Sequence, residues 1–206
     1  MQIARRMSSL LLLAQSLGLA YASGVNLYAT VALVGLMQRA GWIGQLPGAL
    51  QPVASWWIIG LALALYAFEF VATLVPGIAS LWETVHSAIR PPAAAALAVL
   101  TAWHGDPTVV AAAALLGGGL ALTTHATKLG LRYAIDTSPE PVTNAGANIA
   151  ELGVVATLSY FIWHHPFVSL AAALGLLAGL IIAVRVVWRA LKRVYTGEWV
   201  KGKAVG

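Results

Sequence analysis

Apolar segments long enough to cross a lipid bilayer recur from one end of this chain to the other, and that recurrence restricts its fold more than any single motif does. A helix rises about 1.5 Å per residue, so about 20 apolar residues cross a hydrocarbon core of about 30 Å. No water is there to satisfy the backbone, which leaves helical bundles and closed barrels. Barrel strands alternate apolar and polar residues with a period of two, a pattern this chain lacks. The expectation is an all-α, polytopic transmembrane bundle, a single integral membrane domain over residues 1–206 with a core at 8–195 and a basic tail at 192–206. Charged residues make up 9% of the chain, against roughly 25% in soluble domains. The absence of cysteine excludes disulfides, thiolate metal sites and cysteine nucleophiles. A net charge of +5 would suggest nucleic acid in a soluble protein. Here the basic residues lie near predicted membrane ends, so membrane lipids are the expected partners and nucleic acid is not.

Six spans fit, at about 8–38, 54–75, 79–103, 107–135, 145–163 and 166–195. The amino end, Arg5-Arg6 followed by an apolar run and "AYA", has the outline of a secretory signal peptide. The apolar run resumes after "SGVN" (23–26), so a retained first span is expected, too long to sit straight and broken at that motif. In the third span, "PPAAAALAVLTAW" (91–103) is too short alone. Either "SLWETVHSAIR" continues it as a polar inner half, or it is a half-helix beside an interfacial segment. With the amino terminus in the cytoplasm, eleven of the twelve Lys and Arg fall inside and Arg39 alone falls outside. A re-entrant first hairpin would invert the later loops, so the charge rule disfavours it. Both termini are therefore expected in the cytoplasm. Trp56, Trp57, Trp82, Trp103, Trp163, Trp188 and Trp199 fall near span ends, as interfacial anchors do. "GLAYASGVN" (18–26) and "GLALTTHAT" (119–127) open successive three-helix halves, which raises an inverted repeat of three and three spans.

Polar residues in the spans share one spacing. Ser23, Asn26, Thr30 run i, i+3, i+7, as do Tyr66, Glu69, Thr73, then Glu83, His86, Arg90, then His125, Lys128, Arg132. Asn144, Asn148, Glu151 run i, i+4, i+7. Each trio occupies one helix face. A polar group facing lipid costs several kcal/mol, so the stripes must face each other or a wet cavity. The expected result is a polar vestibule open to the cytoplasm behind an apolar outer plug.

Candidate substrate-binding residues are Asn26, Arg90, Lys128, Arg132, Asn144 and Asn148. Candidate proton- or ion-coupling residues are Glu69, His86, His125 and Glu151. Each has a structural alternative. Glu69 and Glu151 fit an internal ion pair that fixes helix register as well as a coupling carboxylate. Lys128 and Arg132 fit snorkelling to the interface as well as capture of an anion, for which Arg offers a two-pronged fork. His86 and His125 fit satisfied core histidines or a titrating relay; metal-ligand spacing is missing, and no cofactor is expected. Thr143 or Asn144 fits an N-cap of the fifth helix. Gly117-Gly118-Gly119 and Gly175-x₃-Gly179 fit small-residue packing faces, within the chain or at a homodimer seam.

The expected function is a small transporter or lipid-headgroup translocase for an anionic small molecule or phospholipid headgroup, with proton coupling. A structural or accessory subunit, a membrane enzyme acting on a lipid headgroup and a channel are the alternatives. No nucleophile elbow, P-loop, zinc-protease or dinucleotide motif is present.

"SGVNLYATVALVGL" (23–36), "ALYAFEFVATLVPG" (64–77), "LWETVHSAIRPPA" (81–93), "THATKLGLRYAIDTSPEPVTN" (124–144) and Glu151 together resemble the small bacterial membrane proteins of the domain of unknown function 4126 family. The resemblance covers roughly 8–195. The family pattern has an acid beside the proline near Pro76, where this chain carries Ala72 and Ala79. The resemblance implies a bacterial, inner-membrane, multi-pass protein bearing these polar motifs, and no particular chemistry.

Overall fold

The computed structural model describes residues 2–75, 77–136 and 141–195, and every regular element among them is helical. In order these are α1 (Gln2–Val25), α2 (Leu27–Arg39), a 3-10 segment (Gly48–Ala54), α3 (Trp56–Ala72), α4 (Ile78–His86), α5 (Arg90–Ala102), α6 (Pro107–Asp136), α7 (Pro141–His164) and α8 (Pro166–Tyr195). Four of them, α1, α6, α7 and α8, are long and apolar enough to cross a membrane. Helix α3 is apolar but shorter, at 17 residues.

The boundaries have local causes. Proline opens α6, α7 and α8, where its missing N–H costs nothing. The Asp106 carboxylate caps α6 by accepting from the Thr108 N–H at 2.8 Å. Helix α2 ends in a Schellman motif. Gly41, at φ +71, donates to Gln38, and the Trp42 N–H reaches back to Met37. Because α7 begins at Pro141, Asn144 lies inside its first turns and is not its cap.

The break in the first apolar segment is a reversal. Asn26 adopts an extended conformation, and its side chain caps α2 by accepting from Ala29 N–H at 2.9 Å. Helix α1 runs beside α6 in the same direction. Leu12 packs near Gly105, Ala20 near Gly117, and Gly24 sits against Ala121 and Thr124. Helix α2 then returns along α3, with Asn26 bonded to Glu69 at its start and Arg39 bonded to the Ala54 carbonyl at 2.6 Å and lying over Trp56 at its end. Leu27 to Val31 climb past Leu65 to Ile58 and past Ala93 to Leu97. Both arms therefore point to the end that carries exposed Trp42, Trp56, Trp57 and Trp103.

The break expected at 23–26 is present, but the two arms do not form one span over 8–38. The helical hairpin disfavoured on charge grounds is the observed arrangement, and the chain traverses the bundle in seven legs among the described residues. The apex is buried against charged side chains, which offset the cost of reversal, and that contribution is invisible to a loop-charge count. Gln2 and Tyr195 consequently lie at opposite ends of the bundle. Gly18 packs on Ser169 near the tryptophan end and Gly130 on Val184 toward the other, so α8 runs away from the end where α1 begins. Arg6 thus shares an end with Arg39, and Arg185, Arg189, Lys192 and Arg193 gather at the opposite one, so the eleven-to-one division of charge does not stand. The stretches at 18–26 and 119–127 descend side by side in one direction, whereas an inverted pair would run opposed. Pro76, residues 137–140 and residues 196–206, with Trp199, Lys201 and Lys203, lie outside the described residues.

The third apolar segment is split into α4 and α5 by a turn at Ser87–Ile89, just before Pro91-Pro92. Ala20, Ala94, Ala98, Ala102, Ala113 and Ala121 form a seam that brings α1, α5 and α6 close together. Gly117 belongs to this seam, while Gly175 and Gly179 face open space. The buried charges lie toward the basic end of the bundle, while toward the tryptophan end the buried polar side chains are neutral, Ser16, Thr101, Ser159 and Ser169 among them.

The cysteine-free chain allows a direct check of the reversal. In sealed vesicles, single cysteines at Met7 and Gly44 are expected to react with an impermeant maleimide from the same side, and one at Lys192 from the other. Labelling of Met7→Cys and Lys192→Cys from one side would return the continuous span.

Candidate functional site

Five polar stripes meet at the apex of the α1–α2 hairpin. Glu69 comes from α3, Glu83 from α4, Arg90 from the first turn of α5, Lys128 and Arg132 from α6, and Glu151 from α7. Each stripe keeps its polar residues on one face by the spacing in the sequence, and the opposite face packs in apolar surroundings.

The contacts form one connected network of three carboxylates and three cations. The Arg90 guanidinium forks, one nitrogen donating to Glu69 and the other to Glu83. Lys128 Nζ lies 2.8 Å from Glu83 Oε1 and 2.8 Å from Glu151 Oε2, and it donates to the Val25 carbonyl at 2.8 Å. Its contact with Glu83 is an ion pair by distance, without the direction of a hydrogen bond. Arg132 donates to Glu151 at 3.0 Å, to Asn144 at 3.3 Å and to Asn148. Asn148 in turn donates to the Thr73 hydroxyl at 2.9 Å, and Asn26 donates to Glu69 at 3.0 Å. The Glu69 Oε2 atom is buried without a hydrogen-bond partner.

Burial separates the members. Arg90, Arg132 and Lys128 keep 0%, 1% and 4% of their surface exposed. Glu151 keeps 17% of its side chain exposed and is the member through which the network meets its surroundings. The stripes thus close on one another instead of lining the open vestibule expected from them. Facing acids and bases thereby neutralise one another away from lipid.

The histidines divide. The His86 ring is edge-on to Tyr28, contacts its hydroxyl at 3.0 Å and the Trp82 carbonyl at 2.8 Å, and stands beside the network as a satisfied core histidine. His125 is within it. Its Nε2 lies 3.1 Å from the Glu83 carbonyl, which can only accept, so Nε2 carries the proton. Nδ1 then turns its lone pair toward Arg90 at 3.4 Å. The Ser87 hydroxyl, 2.9 Å from Nε2, shares this satisfaction of the α4–α5 break.

All ten expected site residues are buried or partly buried around the apex, nine in the network and His86 at its flank. Glu83 was absent from the expected site, although it starts the Glu83–His86–Arg90 stripe; that spacing was the signal for it. The Val25 carbonyl and the Thr73 hydroxyl leave no such trace. Among the described residues no trio of His, Asp and Glu is disposed to hold a metal ion.

A cleft of about 210 Å³ adjoins the network where α6 and α7 diverge. Leu131, Ile135, Val154 and Leu176 form its walls, and Lys128, Arg132 and Glu151 form its polar end.

Membrane-length helices folded around a buried, charge-balanced cluster define a helical membrane protein. The sequence profile of the domain of unknown function family DUF4126 matches residues 13–187. The chain belongs to that family. No curated protein and no solved structure matches it.

Removing Arg90 leaves Glu83 with Lys128 as its remaining close cation, and Glu69 with Asn26 and a Lys128 ammonium 3.8 Å away. Arg90→Gln is expected to lower unfolding stability by about 3–5 kcal/mol, measured by denaturant titration in a fixed detergent. Arg189→Gln, on the exposed end of α8, is expected to leave it unchanged within error. Equal effects would show that the fork is not what holds α3, α4 and α5 together.

Proposed function

We propose that the chain is a small transporter for an anionic substrate, coupled to protons, and that the closed charge network is its occluded resting state. The observation that carries this reading is the position of Lys128, whose ammonium bridges Glu83 and Glu151 and holds the hairpin apex through the Val25 carbonyl. Stability alone does not call for such a network, because well-packed apolar residues often do as well as buried ion pairs. Ionisable groups at membrane depth mark substrate or proton pathways by default.

In this reading Lys128 and Arg132 receive the anion, and Asn144 and Asn148 aim the Arg132 fork. Glu151 vacates its place on taking a proton. Glu69, Glu83 and His125 balance the charge that remains, with Arg90 fixed between the two acids. Asn26, at the tip of the hairpin, moves with the apex and gates the path. The basic end of α8 faces the cytoplasm of a bacterial inner membrane, which puts the amino end outside. A homodimer through the open Gly175–Gly179 face of α8 belongs to the same proposal.

The completeness of the pairing favours a second reading, a structural or accessory subunit whose network only fixes helix register. Thermal shifts separate the two. Inorganic phosphate and acetate are expected to raise the Tm of the purified wild type, to lose that effect in Lys128→Gln and Arg132→Gln, and to act more strongly on Glu151→Gln, which frees both cations while keeping side-chain shape. Identical shifts in all four proteins, or none in Glu151→Gln, would sink the transport reading.

A further inference from the structure

The network has an apolar annex that an inorganic anion would not use. The cleft between α6 and α7 is walled by Leu131, Ile135, Val154 and Leu176, and its polar end is the Lys128–Glu151–Arg132 bridge. The Glu151 carboxylate sits between two cations, 2.8 Å from Lys128 Nζ and 3.0 Å from the Arg132 guanidinium. Its side chain is the exposed member of the network, so it is the one that an incoming group can displace. We infer that the cleft takes the chain of a single-chain fatty carboxylate, whose carboxylate replaces that of Glu151 between Lys128 and Arg132.

Three features select this chemistry. The position already holds a carboxylate, one oxygen 3.0 Å from an Arg132 guanidinium nitrogen and the other 2.8 Å from Lys128 Nζ, so recognition of two carboxylate oxygens by two cations is in place. The walls are aliphatic, which suits a hydrocarbon chain and offers nothing to a sugar or a nucleoside. A cleft of about 210 Å³ is small, which suits one chain better than the paired chains of a phospholipid.

Charge balance then fixes the proton. The network holds three acids and three bases. Adding a ligand carboxylate restores neutrality only if Glu151 leaves as the protonated acid, its proton drawn from the surrounding solution. One proton therefore enters with each ligand. The titratable groups facing Glu151 are Lys128 and Arg132 from α6 and Tyr66 and Glu69 from α3, and Tyr21 of α1 lines the cleft. Of these groups Glu151 alone joins two cations with a partly exposed carboxylate, so the linked proton is assigned to it. This inference rests on the anion-site reading above, and adds the hydrocarbon chain to it.

The test uses the full chain in lipid nanodiscs with a dansyl-labelled undecanoate as the probe. Laurate is expected to displace the probe, while acetate and dodecanol at equal concentration do not and dodecyl phosphate competes more weakly than laurate. Laurate affinity is expected to fall about tenfold per pH unit on the alkaline side, the slope for one linked proton. Glu151→Gln is expected to bind laurate at least tenfold more tightly at pH 8 and to lose the slope, as an empty carboxylate position predicts. Val154→Trp, which fills the cleft away from the charges, is expected to abolish laurate competition while leaving the thermal shift with phosphate intact. Dodecanol competing equally, dodecyl phosphate binding as tightly, weaker binding by Glu151→Gln or laurate binding unchanged in Val154→Trp would each overturn the inference. Loss of the phosphate shift in the wild type would instead remove the anion site itself.

Discussion

Everything in this structure answers one constraint: six formal charges are buried at membrane depth, and each must find an opposite within reach. Coulombic attraction grows as the effective dielectric falls, and so does the cost of leaving a charge alone. The helices solve this by placing acids and bases on different elements. Glu69 on α3, Glu83 on α4 and Glu151 on α7 cannot satisfy one another, and the cations on α5 and α6 connect all three. No helix in the set is neutralised by itself. The relative placement of α3, α4, α5, α6 and α7 is therefore tied to electrostatics at one level of the bundle, and above that level the Ala-lined seam and the aliphatic clusters fill space.

The hairpin apex extends the same logic to the backbone. A reversal between two helices exposes the last carbonyls of the first and the first N–H groups of the second. In water these groups would be solvated. Here the Val25 carbonyl accepts from Lys128, and the Asn26 side chain accepts from Ala29 while donating to Glu69. One lysine thus serves an ion pair and a helix end at once. Charge neutralisation and chain reversal are coupled through it, so a movement of Lys128 toward a new anion has a mechanical consequence at the tip of the hairpin.

Helix identity, the break at residues 23–26, the split in the third apolar segment and the convergence of the polar stripes were all legible in the sequence, because each depends on local periodicity or on a proline, glycine or asparagine at a definite position. The direction taken after Asn26 was not. An extended residue between two helices is compatible with a kink or a reversal, and the choice is made by Glu69, 43 residues from Asn26, and Lys128, 103 residues from Val25. The positive-inside count failed for a related reason. It weighed Arg90, Lys128 and Arg132 as loop charges, although they are buried and paired within the bundle. Glu83 shows the reverse situation: its stripe was visible, but the chemistry of a carboxylate depends on which cations reach it, and that information is tertiary.

The network is balanced in charge but not in access. Arg90 is sealed between two acids, and Glu69 and Glu83 are almost fully buried. Glu151 alone combines two cationic partners with a partly exposed side chain beside an apolar cleft. Arg90 joins two acids, Lys128 links the network to the backbone, and Glu151 is its partly exposed acid. In the proposed reading the anion competes with a carboxylate the protein already provides, so selectivity is set by how well the newcomer matches a carboxylate, and release is driven by return of the deprotonated side chain.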